Sequence, residues 1–422
     1  MLEAQPKPLR PRVLIVSFTD LARDARLDRQ IGFLREHYEV ITAGLGRSAY
    51  PELEFVDLTP DMPQLGLLTR HGRRLRSIVE RLSRRYHSAH WSNPVNAQAL
   101  GRLSGHGADV TIANDVSALP VACETARGRP VILDAHEYSP AEQSELLWWR
   151  LTMRRYVDGL LRLYLPDVTA MMTVSPGIAE LYRAAYGAQP VIVTNAPGGA
   201  PLSPTPTEMP IRLIHHGLAD PQRELERMIE AMDMIGEGFT LDLMLVPGDR
   251  DYVARLRRMA AERRGVRVIE PCTPREIVGR LNTYDVGAYL MPQRSLNQRL
   301  ALPNKLFDFI QARLALAIGP SPEMSDLVSS WGCGVVAERE SVEAFASAVS
   351  GLTPERVMEL KWASHRAARE LTAERNRAIV LELVDGALKV PVAPSRRHPP
   401  PGSSCVSGTA AVRPRGESAK TN

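Results

Sequence analysis

No apolar run in the chain approaches the ~20 residues that a membrane-spanning helix needs. LALAI at 314–318 is representative, and it is strand length. The opening MLEAQPKPLRPR lacks the apolar core of a signal peptide, so a cytoplasmic rather than an exported protein is expected. Cys123, Cys272, Cys333 and Cys405 are scattered with no CxxC pair, which reads as reduced thiols and gives no metal site. The first strand-to-helix turn, SFTDLARDARL, has no glycine, so the GxGxxG dinucleotide fingerprint is absent, and no GxxxxGK[ST] phosphate loop occurs anywhere. Redox chemistry on NAD and P-loop hydrolysis therefore lack their phosphate-binding elements. A net charge of +4 is mild and calls for no nucleic-acid partner.

What the chain does contain is alternation. Its 422 residues are too many for one ordinary core, and 44% hydrophobic with 24% charged residues is a globular composition. VLIVSF (13–18), YEVITA (38–43), VTIA (110–113), VILD (131–134), MMTV (171–174) and VIVT (191–194) are candidate strands, separated by helical periodicity. Most are continuous apolar runs, as strands covered on both faces require. After the proline-rich break PLSPTPTEMP (201–210) the pattern restarts with IRLIHH, LDLMLV, VRVIE, VGAYL, LALAI and CGVVA. The expectation is an α/β protein of two Rossmann-like domains, each a doubly wound parallel sheet, facing across a cleft. The boundaries expected are 1–200, 201–365, a helix over 366–390 crossing back to the first domain, and a disordered Pro/Ser/Gly/Arg-rich tail over 391–422.

Two segments of the second half carry chemistry. In IHHGLADPQRELERMIEAM, Gly217 lets backbone approach a ligand, and Asp220 and Pro221 suit the N-cap and first position of a helix. Arg223 then opposes the helix macrodipole, a conflict that an anionic ligand resolves and that solvent exposure merely tolerates. In ALPNKLFDFIQ, Asn304 and Lys305 open a second helix, and Asp308 shares a face with Lys305. Lys305 suits phosphate and Asp308 suits a pair of sugar hydroxyls; the plain alternative is a surface ion pair. GDRD at 248–251 has the DxD form of a metal site, but acids there also cap the helix DYVARLRRMAAERR, which is the preferred reading. His215 and His216, adjacent in a strand, point to opposite faces and do not make a zinc pair. RHGRRLRSIVERLSRRYHSAHW (70–91) has seven arginines before His87 and one acid, and SELLWWRLTMRRYVDGLLRLYL (144–165) joins two tryptophans to arginines. Both fit either a solvated face or contact with an anionic membrane.

SFTDLARDARLDRQI, ANDVSALP (113–120), LDAHEYSP (133–140), VSPGIAELYRAAYG (174–187), VTNAP (193–197), IHHG and LPNKLFDF followed by IGPSPEM occur in that order. Together they resemble the retaining GT-B glycosyltransferases of glycosyltransferase family 4, bacterial members above all, from about Arg12 to about Asp385. The resemblance implies a nucleotide-sugar donor in the second domain and an acceptor on the first. It places Asp308 at the second acid of the Glu-x7-Glu signature, on the ribose. Arg223 and Lys305 fall on the diphosphate, and His216, Gly217, Asn304 and Glu323 complete the donor side. Asp24, Arg26, Asn114, Asp115 and Asn195 fall on the acceptor side, and His136 and Glu137 face the transferred sugar. Leu300 stands where the first signature acid belongs, with Asn297 and Arg299 as local alternatives. The expected activity is retaining, metal-independent hexosyl transfer to a glycan, lipid-linked or small-molecule acceptor in cell-envelope or exopolysaccharide synthesis. A GT-B nucleotide-sugar epimerase and a non-catalytic nucleotide binder are the alternatives.

Overall fold

A computed structural model describes residues 10–48, 50–61, 76–143 and 146–392. The arginines of 70–75, Cys405 and nearly all of the proposed tail lie outside the described residues. The first lobe holds β1 (Arg12–Asp20), β2 (Glu39–Leu45), β3 (Glu54–Asp57), β4 (Val110–Asn114), β5 (Val131–Ala135), β6 (Ala170–Thr173) and β7 (Val191–Ile192). They form one parallel sheet in the order β3-β2-β1-β4-β5-β6-β7. The second lobe holds β8 (Ile211–Ala219), β9 (Phe239–Pro247), β10 (Val266–Ile269), β11 (Val286–Tyr289), β12 (Ala315–Ile318) and β13 (Gly334–Val336). Its parallel order is β10-β9-β8-β11-β12-β13. Every strand expected from the apolar runs is present. β3 was not expected: EFVD is short, half acidic and at a sheet edge, with no residue fully buried.

The continuous runs follow from two-sided coverage. Successive strand residues point to opposite faces, so Leu14 and Val16 enter one core while Val13 and Ile15 enter the other. β12 does the same, with Ala315 and Ala317 on one side and Leu316 and Ile318 on the other. Gly287 in β11 has a packing role, since a Cβ there would lie 2.3 Å from the Phe309 ring. That close approach seats the helix Asn304–Gln311 flat on the sheet.

The lobes are linked in several places. Helix Ala373–Leu388 contributes Val380 and Val384 to a first-lobe core, and the Tyr38 hydroxyl donates to Asp385 at 2.7 Å. Where the chain crosses, Ala373 N donates to Pro197 O at 2.8 Å. The proline-rich 201–210 segment lies along the second lobe, where Arg313 donates to the carbonyls of Ala200 and Leu202. A clasp closes one side of the cleft: Ser175 Oγ donates to Leu300 O at 2.7 Å and Gly177 N to Glu323 at 2.8 Å. Strand order reverses at β1/β4 in one sheet and at β8/β11 in the other, and ligands of such sheets sit at the carboxyl ends beside those points.

Candidate active site

The second half of β8 carries His215, His216 and Gly217, beside the N-terminus of helix Asn304–Gln311. Gly217 has φ +133°, and a Cβ there would lie 3.1 Å from Lys305 Nζ and 3.5 Å from Arg223 Nη1. A bare backbone and two cations therefore converge on one point. Lys305 is buried, with its Nζ 3.4 Å from His215 Nε2 and 4.9 Å over the Tyr289 ring. His215 Nδ1 lies 2.9 Å from Ala288 O. That contact makes Nδ1 the donor and leaves Nε2 to accept from the ammonium. Burial, and then Arg223, push the Lys305 pKa down to about 7, with Asp308 opposing. Burial and Lys305 hold the His215 ring far below its usual range, hence neutral. Among the described residues neither Arg223 nor Lys305 has an acid within ion-pair distance, an arrangement that favours binding an anion.

The route by which Arg223 arrives differs from the sequence expectation. Asp220 does cap, accepting from Gln222 N at 2.9 Å, but Pro221–Arg223 is only a short 3₁₀ turn. Glu224 then takes a left-handed φ of +46°, and the helix proper begins at Glu226. Arg223 thus lies on the turn before the helix, aimed back at Gly217, and the macrodipole conflict does not arise. Glu224 is held by Arg294 and Arg227, which explains a non-glycine residue in that conformation.

On the other side of Lys305, His216 Nε2 stands 3.5 Å from Asp308 Oδ2 and has no hydrogen-bond partner among the described residues. Burial, followed by Lys305, lowers the His216 pKa to about 3. Burial raises Asp308 to about 7 against the pull of Arg29 and Lys305. A neutral imidazole and a carboxyl whose ionised form burial disfavours lie side by side with hydrogen-bonding capacity left over. Arg29, from first-lobe helix Ala25–Leu34, reaches this group across the cleft and donates to Asn195 Oδ1 at 3.2 Å.

The first-lobe wall is a closed charge network. Arg26 grips Asp134 with Nε at 2.9 Å and Nη2 at 2.5 Å, and also donates to Val193 O and Asn195 Oδ1. His136 sits 3.3 Å from Asp115 and 3.6 Å from Asp134, and 3.3 Å from Asn114 Oδ1. Burial disfavours the His136 imidazolium, but the two carboxylates outweigh it and its pKa is raised. Asp134 is held far below the ordinary carboxylate range: its burial is overcome by Arg26 and His136. Asp115 adopts φ +63°, a left-handed geometry costly for a residue with a Cβ. Its carboxylate accepts from His136 N at 3.0 Å, and this contact holds the turn in place.

A cavity of about 430 Å³ joins the two walls, lined by Thr19, Asp20, Arg23, Asp24, Arg26, His136 and Asn195 from one side and Asn304 from the other. Asp24 lines it while capping its helix, accepting from Arg26 N and Leu27 N. Glu137 and Glu323 belong elsewhere. Glu137 accepts from Asn297 Nδ2 at 2.8 Å and Glu323 from Gly177 N, so both serve the clasp between the lobes. Leu300 packs against the first-lobe core. Asp249 caps the helix Arg250–Ala261 through Tyr252 N at 2.8 Å, the non-metal reading of GDRD. No group of three or more His, Cys, Asp or Glu side chains is placed to hold a metal ion among the described residues.

Sequence reasoning missed His215, Arg29 and Asp134. Two of them left a trace. Arg23, Arg26 and Arg29 recur every three residues from the turn into the first helix, and Asp134 interrupts an otherwise apolar buried strand. For His215 no local signal distinguishes it from His216.

No family profile and no curated protein matches this sequence. Solved structures do match in three dimensions. HepE from Anabaena in complex with UDP-glucose superposes with a TM-score of 0.64 at 12% identity, covering 89% of this chain and 99% of that one. The E. coli trehalose-6-phosphate structure bound with UDP-2-fluoro glucose gives 0.62 at 10% identity, over 90% and 99%. The pneumococcal O-GlcNAc transferase GtfA, in complex with UDP and GlcNAc, gives 0.54 at 13%, over 70% and 60%. Two Rossmann-like lobes with a cleft between them define the GT-B fold, and this chain has it.

Proposed function

We propose that the chain is a retaining glycosyltransferase of family 4 type, moving a sugar from a nucleoside-diphosphate sugar to a glycan, lipid-linked or small-molecule acceptor in cell-envelope or polysaccharide synthesis in the cytoplasm. The observation that carries this reading is the convergence of Arg223, Lys305 and the bare Gly217 backbone in the last residues of β8, before Ala219. A buried lysine and a half-buried arginine, with no acid within ion-pair distance among the described residues, fit a diphosphate and stabilise it as it leaves, with no reorganisation at the moment of reaction. We therefore assign charge neutralisation to these side chains rather than to a divalent ion. His215 holds the ammonium in place, and Asp308 with His216 offers hydrogen-bond partners to the ribose. The sugar lies toward the 430 Å³ cavity, where Asn304, Asn195 and His136 face it. His136 positions the acceptor, with Asp115 and Asp134 fixing its ring. Glu137 orients the same loop through Asn297. Retention is assigned to front-side attack guided by the departing phosphate, so no carboxylate nucleophile is required.

Leu300 favours a second reading, a nucleotide binder without turnover, because a leucine turned toward the first lobe provides no acid for the donor sugar. A GT-B epimerase would share the donor site and need no acceptor. Thermal-shift titration with UDP, GDP and ADP, followed by assay of free nucleoside diphosphate from the matching sugar donors, separates the three. Stabilisation by one diphosphate and acceptor-dependent release of it support transfer. Stabilisation with no release supports the binder, and no stabilisation by any diphosphate overturns the donor-site assignment.

A further inference from the structure

The segment SELLWWRLTMRRYV admits a solvated face or a membrane contact by sequence, and the structure separates its residues. Trp149 turns inward and is 6% exposed, whereas Leu147, Trp148 and Leu151 are 66%, 54% and 60% exposed. A five-residue π-helical turn, Trp149–Met153, starts at the inward tryptophan and leads into helix Arg154–Tyr164. The neighbouring helical stretch 76–82 presents Val79 and Leu82, also more than half exposed. Arg81 ties the two together, lying 4.8 Å over the Tyr156 ring and touching Met153 Sδ. Large apolar side chains gathered this way are an interaction surface rather than scattered exposure.

Its rim is cationic. A cavity of about 330 Å³ is lined by Arg150, Arg154 and Arg155, with Tyr138, Pro140 and Asp158. None of the three arginines has an ion pair among the described residues, and all are exposed. Asp158 does not neutralise them, since it already accepts from Arg162 at 3.1 Å and from the Tyr186 hydroxyl at 2.8 Å. Arg84 and Arg85 are exposed at the end of the adjoining stretch. A second copy of the same face would set arginine against arginine, so self-association is disfavoured. An anionic bilayer provides both the apolar layer and the negative charge.

We propose that this first-lobe face docks on an anionic phospholipid membrane, with Leu147, Trp148 and Leu151 entering the interface and the Arg150–Arg154–Arg155 cavity taking a lipid phosphate. The cavity opens on the loop His136–Pro140 whose other end faces the cleft, so docking brings the membrane beside the acceptor wall. Docking itself does not depend on the donor-site reading.

The test is co-sedimentation of the full chain with vesicles of phosphatidylglycerol and phosphatidylcholine in equal parts, and with phosphatidylcholine alone. Expected is binding to the mixed vesicles only, at low salt, with a blue shift of tryptophan emission. Molar salt, which shortens screening to about 3 Å, should release the protein. Arg150→Gln, Arg154→Gln and Arg155→Gln together should weaken binding roughly a hundredfold. Leu147→Ala with Trp148→Ala should abolish the emission shift. All five positions are exposed, so an unchanged unfolding midpoint in both variants certifies the fold. Wild-type protein left in the supernatant at low salt overturns the proposal. So does equal binding by the triple-arginine variant, or a wild-type dimer that Leu147→Ala with Trp148→Ala dissolves while no vesicle is bound.

Discussion

Two charge clusters face each other across the cleft and are built on opposite principles. In the first-lobe cluster the charges are matched: Arg26 is doubly bonded to Asp134, and His136 sits between Asp134 and Asp115. In the second, Lys305 and Arg223 lie against Gly217 with no acid within ion-pair distance among the described residues. The second lobe can balance a buried lysine where the fold requires it. Lys361, fully buried, is 3.2 Å from Asp285 and 2.9 Å from the Thr205 hydroxyl. The contrast between Lys361 and Lys305 teaches that the imbalance at Lys305 is local to one site. A compensated cluster holds geometry, and an uncompensated one is finished by a ligand that brings the missing charge.

The sharpest way to break the comparison is on its compensated side. Asp134→Asn leaves Arg26 buried without its counter-charge and should cost about 3–5 kcal/mol in urea denaturation. A loss under about 1 kcal/mol would place the stability of this wall elsewhere. Next, Lys305→Ala or Arg223→Ala should lower transfer activity about a hundred- to a thousandfold, the range seen when one pre-placed charge-stabilising group is removed. Circular dichroism should stay unchanged; normal turnover in both variants would end their assignment.

A third substitution separates ligand binding from structure. Lys305→Met removes an unbalanced buried cation, so the ligand-free protein should gain about 1–4 kcal/mol of stability while losing the response to nucleoside diphosphate. A destabilised Lys305→Met would mean that the ammonium is structural after all, as Lys361 is. The smallest effect is on pH. Lys305 titrates in the folded chain at about 7, below its ordinary 10.5. Above pH 7 the ammonium must be regained before it can meet a diphosphate, so affinity should fall about tenfold per unit. The unfolded chain holds more protons than the folded one between about 7 and 10.5, so this group makes the free protein more stable as pH rises through that window. Isothermal titration at stepped pH reads the first effect, and Lys305→Met should flatten it.

Much of the architecture was legible because it is written locally. Each strand is an apolar run whose composition reports two-sided burial, as Val13 to Val16 show, and the restart after Pro210 announced a second sheet. β3 escaped because an edge strand buries little and EFVD carries no such signature. The site was legible in pieces. Gly217, Arg223, Lys305 and Asp308 stood out as charges and a glycine at element ends, and the structure brings them together. Glu137 and Glu323 looked the same in sequence yet serve the clasp, because whether a carboxylate faces a cleft or a neighbouring lobe depends on how the lobes meet.

By itself the sequence determined two α/β halves, where each strand lies, and which side chains carry unusual charge for their setting; these follow from neighbours a few residues apart. Only the tertiary structure decided the partners: Arg26 with Asp134, Glu137 with Asn297, Lys305 with His215, Arg29 toward Asp308. Those pairs are 90 or more residues apart. Burial sets the energy of each charge, and burial comes into being only when the sheets are packed and the lobes face one another.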